Sequence, residues 1–240
     1  MTLQNLFPIL ISFLLAVIPA VFLLWYFLRL ADSRKGSSAT VMKIFFAAIF
    51  SIFPVVAMEI MISKINVYYQ WSKFIYYFFE AFIVAGLVEE YIKQQIVKFM
   101  AFYPGRIHKI IDGITLTIAA SLGFACIENI LYVFGNNWET AIARGVTSVP
   151  LHAVASGTMG YYIGLARFAR TKGQERMLLN VGLWQAIMIH GLYNFLILIS
   201  PLFGAMFAAF VIPMVIFLYI RLKSRIYQAQ ELDQELEGSL

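Results

Sequence analysis

Charge is what this chain has least of. Only 13% of its 240 residues are charged, against 61% hydrophobic, and a soluble domain of that composition has no way to hide its apolar surface. Cysteine is nearly absent. Cys126 stands alone, which excludes an intrachain disulfide and leaves the redox compartment unread. The net charge of +5 comes with no DNA- or RNA-binding motif, so it speaks to membrane topology and not to nucleic acid. No linker composition marks a second domain. No internal repeat is visible, which counts against a transporter built from inverted repeats.

What is present is a succession of bilayer-length apolar runs. They read as about seven spans, at 6–30, 41–63, 74–99, 111–134, 145–168, 177–199 and 202–220, each near the ~20-residue requirement. The first run is too long for a signal-peptide core and lacks a basic segment before it, so it reads as a retained helix. Lys and Arg separate by loop. Arg29, Arg34, Lys35 and Lys43, then Lys93, Lys98, Arg106 and Lys109, then Arg167, Arg170, Lys172 and Arg176, then Arg221, Lys223 and Arg225 fall on one side, while Lys64, Lys73 and Arg144 fall on the other. The positive-inside rule then sets the N-terminus outside and the C-terminus in the cytoplasm. The expected fold is all-α, a polytopic membrane helix bundle forming one integral membrane domain over 1–240, with the motif-bearing core at about 74–199. The acidic tail ELDQELEGSL reads as a frayed helix without catalytic work.

Against this apolar background the buried charges stand out. Glu89 and Glu90 are adjacent inside the third run, and Glu128 lies in the fourth. A carboxylate near a bilayer centre costs about 2.5–3.5 kcal/mol on insertion scales, so three would cost about 7–10 kcal/mol if ionised and unpaired. Such groups belong in a polar interior between helices. The fifth run adds His152, the sixth His190 and Asn194, and the fourth also carries Asn129. At 1.5 Å per residue, Glu128, His152 and His190 all lie roughly 9–14 Å below the outer surface, as one shared site requires. His190 and Asn194 are four apart and share a helix face, and Lys93 is in reach of both Glu89 and Glu90. His152, Ser156, Gly160 and Gly164 form an i, i+4 stripe whose last three members suit close helix packing. Pro150 is expected to loosen the helix just before His152.

Several polar residues have plainer readings. Glu59 and Glu80 read as carboxylates snorkelling to an interface. His108 lies in a solvated loop, and Cys126 faces away from Glu128. For the remaining set, the chemistry indicated is hydrolysis by an activated water. It needs a base and a donor for the developing oxyanion. A glutamate can serve as the base, with the histidines or Asn194 as donors. Alternatively two histidines and a glutamate bind zinc. No HExxH and no Ser or Cys nucleophile signature is present, so a water activated by carboxylate or metal is favoured over covalent catalysis.

The blocks Glu89-Glu90-Tyr-Ile-Lys93, Phe124-Ala-Cys-Ile-Glu128-Asn129, His152, and His190-Gly-Leu-Tyr-Asn194 resemble the PrsW family of bacterial intramembrane proteases. More distantly they are similar to the CAAX prenyl endopeptidase and bacteriocin-immunity superfamily. The resemblance runs over about 88–198, including Asp112-Gly113 and the stretch from Gly160 to Phe168. It implies a multi-pass protease of the bacterial cell membrane that cuts single-span membrane proteins, an anti-sigma factor among them, at the first step of a stress response. It implies a catalytic set of Glu89, Glu90, Glu128, His152 and His190, with Lys93, Asn129 and Asn194 supporting. Zinc, with Glu128, His152 and His190 as candidate ligands, remains open beside a metal-free mechanism, and the balance falls slightly toward the latter. The competing classes are a proton- or ion-coupled transporter, which would also use buried Glu and His, and a non-enzymatic immunity or binding protein.

Overall fold

The computed structural model describes residues 3–31, 38–135 and 138–238. Among these it contains helices and turns and no strand. The helices are α1 (Leu3–Leu30), α2 (Ser38–Phe50), α3 (Ile52–Tyr69), α4 (Lys73–Phe79), α5 (Val88–Val97), α6 (Ile110–Gly135), α7 (Trp138–Val146), α8 (Ser148–Arg167), α9 (Lys172–Phe203), α10 (Met206–Ala209) and α11 (Val211–Gly238). Among the described residues five helical segments are long and apolar enough to cross a membrane: Phe13–Leu30, Ala39–Tyr69, Ile110–Tyr132, Lys172–Phe203 and Met206–Gly238. The segment richest in site residues, 73–102, and the helix that carries His152, Ser148–Arg167, are not among the five.

The bundle is built inside out relative to a soluble protein. Phe22, Phe50, Phe53, Trp184 and Phe217 are exposed on its surface, while Glu90, Lys93, Asn129, Ser156, His152 and His190 are buried. Lipid accepts the first group without penalty, and only the interior can satisfy the second.

At the centre stands α6, packed on α1, α2, α8 and α11. The α6–α8 contact is backbone on backbone. A Cβ on Gly164 would sit 2.2 Å from the Ile110 carbonyl oxygen, and one on Gly113 would sit 2.4 Å from the Gly164 nitrogen. The glycine stripe expected on α8 therefore does what its spacing indicated. It seats His152 and Ser156 directly against α6.

Several local expectations need correcting. The second run is two helices, joined at Ser51, because Pro54 cannot donate to the preceding turn and Ser51 Oγ donates back to the Ala48 carbonyl at 2.7 Å. The polar stretch after residue 63 is not a loop. Helix α3 continues to Tyr69 and ends only where Gln70 turns to φ 48°. The third run is helical from Lys73 to Phe102, but π-helical at Glu80–Leu87 and Lys98–Phe102, on both sides of α5. Such wide turns shift the helix face and recur at functional sites. The connection between α6 and α8 is α7, a short helix that presents Arg144. Pro150 acts as Pro54 does: it is the third residue of α8, and the helical run is interrupted three residues before it, at Thr147 between α7 and α8, so the break falls ahead of Ser148 and not beside His152. The acidic tail is not frayed either. It continues α11, and Asp233 accepts hydrogen bonds from the Ile110 and Ile111 N–H groups at 2.6 and 3.0 Å, capping α6 from far away in sequence. Arg34 and Lys35, part of the first loop's charge, lie outside the described residues.

Candidate active site

Four helices bring their polar residues to one point. From α5 come Glu89, Glu90 and Lys93, from α6 Glu128, from α8 His152 and from α9 His190. One donor atom each from Glu89, Glu90, His152 and His190 lies within 4.8 Å of the others. Close approach of the backbones makes this possible. A Cβ on Gly191 would fall 2.3 Å from the Phe82 ring, so α9 can press against the π-helical turn ahead of α5 only because residue 191, next to His190, is glycine.

Lys93 is the hub. Its ammonium donates to Glu89 Oε2 at 3.0 Å, Glu90 Oε1 at 2.8 Å and His152 Nδ1 at 3.1 Å. All three N–H groups are thereby used, and the charge also lies 4.5 Å from the Phe124 ring centroid. An ammonium only donates, so His152 Nδ1 accepts. The proton of a neutral ring then sits on Nε2 and reaches Glu128 Oε2 at 2.9 Å. Ser121 Oγ fixes the same turn by donating to the His152 carbonyl at 2.6 Å.

The two adjacent glutamates differ sharply. Glu90 is sealed and fully engaged. Its Oε1 accepts from Lys93 and from His190 Nδ1 at 3.0 Å, and its Oε2 from Ser156 Oγ at 2.7 Å. Glu89 has one hydrogen bond, to Lys93, with His190 Nδ1 at 3.9 Å. Its other oxygen takes no hydrogen bond among the described residues.

Glu128 stands behind His152, away from the four-donor cluster. Arg144 of α7 holds it at 2.9 Å. Asn129 orders that arginine, accepting from Arg144 Nε at 3.1 Å while donating to the Ala16 carbonyl. Three carboxylates thus face two cations, and one negative charge is left over among them. Asn194, one turn after His190, lines a cavity of about 1210 Å³ whose wall also includes Glu128, Arg144 and Ala85. Ala85 lies one turn before Glu89. Among the described residues no group hydrogen-bonds the Asn194 side chain.

All eight residues singled out from the sequence therefore lie in or beside one buried site. Sequence reasoning missed Arg144, read as a loop charge, and Ser156, read only as a packing residue. The charge count held the signal for Arg144, because three buried carboxylates need more than Lys93.

Residues 36–220 match the model of the family described as PrsW family intramembrane metalloprotease. The chain belongs to the PrsW family. It is 31% identical over 198 residues to Protease PrsW of Geobacillus kaustophilus, covering 82% of this chain and 84% of that one. It is 32% identical over 193 residues to Protease PrsW of Clostridioides difficile, covering 78% and 79%, and 30% identical over 181 residues to Protease PrsW of Bacillus subtilis, covering 75% and 80%. No solved structure matches the chain. Membership in PrsW makes this a multi-pass membrane protein and a peptidase, and decides against the transporter and immunity readings.

The family description implies a metal. The donor set fits zinc in kind, with two carboxylates and two imidazoles, and Glu128 on the far nitrogen of His152 is the usual support of a ligating histidine. Lys93, however, hydrogen-bonds three of the same four residues, so ammonium and ion compete for them.

Proposed function

We propose that the protein hydrolyses single-span membrane proteins, with Glu89 as the base that activates water. The observation that carries this reading is the Glu89 carboxylate, held on one oxygen by Lys93 and unbonded on the other, one turn from a residue lining the large cavity. Water bound to the free oxygen attacks the scissile carbonyl carbon, and its proton passes to Glu89. Asn194, with no side-chain partner among the described residues, donates to the oxygen that becomes negative. When the tetrahedral carbon collapses, the C–N bond breaks and Glu89 returns the proton to the leaving nitrogen. Glu90 does not take part directly. It ties Lys93, His190 and Ser156 into a rigid frame, and Glu128 with Arg144 fixes the ring of His152. A metal at this site would be held by Glu89, Glu90, His152 and His190 and would supply a polarised, more acidic water. The ammonium of Lys93, already inside that set, favours the metal-free route.

The same proposal includes seven spans, the five apolar segments together with 73–102 and Ser148–Arg167, and an outside N-terminus and cytoplasmic C-terminus. The distribution of Lys and Arg supports this. The site then opens to the outer half of the membrane, where an anti-sigma factor, the substrate that the family resemblance implies, would present its outer flank. The test is cleavage of a single-span anti-sigma factor in liposomes by the wild type and by E89Q, with reporter fusions at Gln70 and Gly173. Cleavage by the wild type alone, with Gln70 outside and Gly173 inside, is expected. Equal cleavage by E89Q overturns the mechanism, and an outside Gly173 overturns the topology.

A further inference from the structure

The cavity beside the catalytic cluster is unevenly charged. At about 1210 Å³ it exceeds the ~300–1,000 Å³ of ordinary small-molecule clefts and can take a stretch of polypeptide. Three carboxylates line it: Glu59, Glu80 and Glu128. Glu128 is neutralised by Arg144. Glu80 is held only by neutral donors, Ser63 Oγ at 3.1 Å and Asn66 Nδ2 at 2.9 Å. Among the described residues Glu59 accepts no hydrogen bond and joins no ion pair, although Ser63 and Asn66, at i+4 and i+7 from it, turn the same face of α3 toward Glu80. Lys64, the other lining cation, is exposed and pairs with neither. Behind Glu80, and not itself in the cavity wall, the fully buried Asn66 has a side-chain oxygen that lacks any donor among the described residues. Tyr68, Tyr76 and Tyr77 complete this part of the wall. Excess acceptors next to aromatic faces are the chemistry that recognises a cation. Glu59 and Glu80, which the sequence suggested reach toward an interface, both line this cavity. Both face the space a substrate would fill.

We propose that Glu59, assisted by Glu80, selects substrates carrying a lysine or arginine side chain close to the scissile bond. This rests on the peptidase reading above and adds a substrate preference to it. A basic side chain entering the cavity pairs with Glu59 and lies against the tyrosine rings. An acidic one meets two carboxylates and is rejected.

The experiment uses single-span peptides with a Leu/Ala core, reconstituted in liposomes, bearing one Lys, Gln or Glu at successive positions along the outer flank. Binding is measured by fluorescence anisotropy to full-length E89Q, and cleavage is measured with the wild type. At one or two positions Lys peptides are expected to bind about tenfold tighter than Gln peptides, and Glu peptides more weakly than either. Adding E59Q should collapse the Lys-to-Gln ratio to within about twofold, and E59K should reverse the order in favour of Glu. A ratio near one at every position, measured without any change at residue 59, overturns the inference, as does a ratio that E59Q leaves intact. Lysine-selective binding without cleavage supports the selectivity and counts against the peptidase mechanism. Cleavage without charge preference does the reverse.

Discussion

Glu89→Gln and Glu90→Gln look like the same substitution one residue apart, yet the structure assigns them different consequences. At position 90 the carboxylate accepts from Lys93, His190 and Ser156 at 2.8, 3.0 and 2.7 Å and is fully buried. Glutamine there removes a buried charge from beneath Lys93, and breaking a buried pair in this way costs about 3–5 kcal/mol. At position 89 the amide oxygen of glutamine still accepts from Lys93, so only the charge-assisted share of one hydrogen bond is lost, on the order of 1–2 kcal/mol. The order reverses for chemistry. E89Q removes the base and should slow cleavage by about 10²–10⁴-fold while folding almost as the wild type does. E90Q should lose stability first, with activity falling because its frame loosens. SDS-driven unfolding in mixed micelles reads the stability, and cleavage of a single-span substrate in liposomes reads the rate. The reasoning is refuted if E89Q keeps more than about a tenth of the wild-type rate, or if E90Q unfolds no more readily than E89Q.

Three further outcomes follow from the geometry. Metal analysis of active, chelator-treated protein should find far less than one metal per chain with activity retained. One zinc per chain, with activity lost on removal and restored by add-back, would overturn the metal-free route. R144Q and E128Q should each lower cleavage by about tenfold or more, and the double variant should be no worse than the poorer single, because the arginine acts only by holding the carboxylate that orients His152; additive losses in the double variant would break that link. G164A should destabilise the protein by about 1–3 kcal/mol or more, because its Cβ would lie 2.2 Å from the Ile110 carbonyl oxygen, while G173A, with its nearest neighbour at 3.9 Å, should unfold like the wild type.

Much of the site was legible before any coordinates. Glu89, Glu90 and Glu128 were conspicuous because lipid makes unpaired charge expensive, and the i, i+4 spacing of His190 and Asn194 fixed their common face. Equal depth of Glu128, His152 and His190 along separate helices then implied a shared interior; in the structure His152 and His190 meet Glu89 and Glu90, while Glu128 touches only the far side of His152. Roles were less legible, because adjacency in sequence says nothing of which oxygen meets which partner. Glu128 had been grouped with His152 and His190 as a ligand, and it stands instead behind the imidazole, out of the four-donor set.

The sequence alone determined the membrane class, the helical fold and the identity of the buried polar residues, since hydropathy and the cost of burying charge are properties of composition and spacing. Only the tertiary structure decided that Lys93 sits between both glutamates and His152, that Arg144 turns inward to Glu128, that Ser156 serves Glu90, that Asp233 caps α6 from 123 residues away, and that Glu59 faces an open cavity. Each depends on how two helices distant in sequence are rotated against one another. That rotation is set by π-helical turns and by glycine-to-backbone contacts across the α6–α8 seam, and no single helix encodes the partner it will meet.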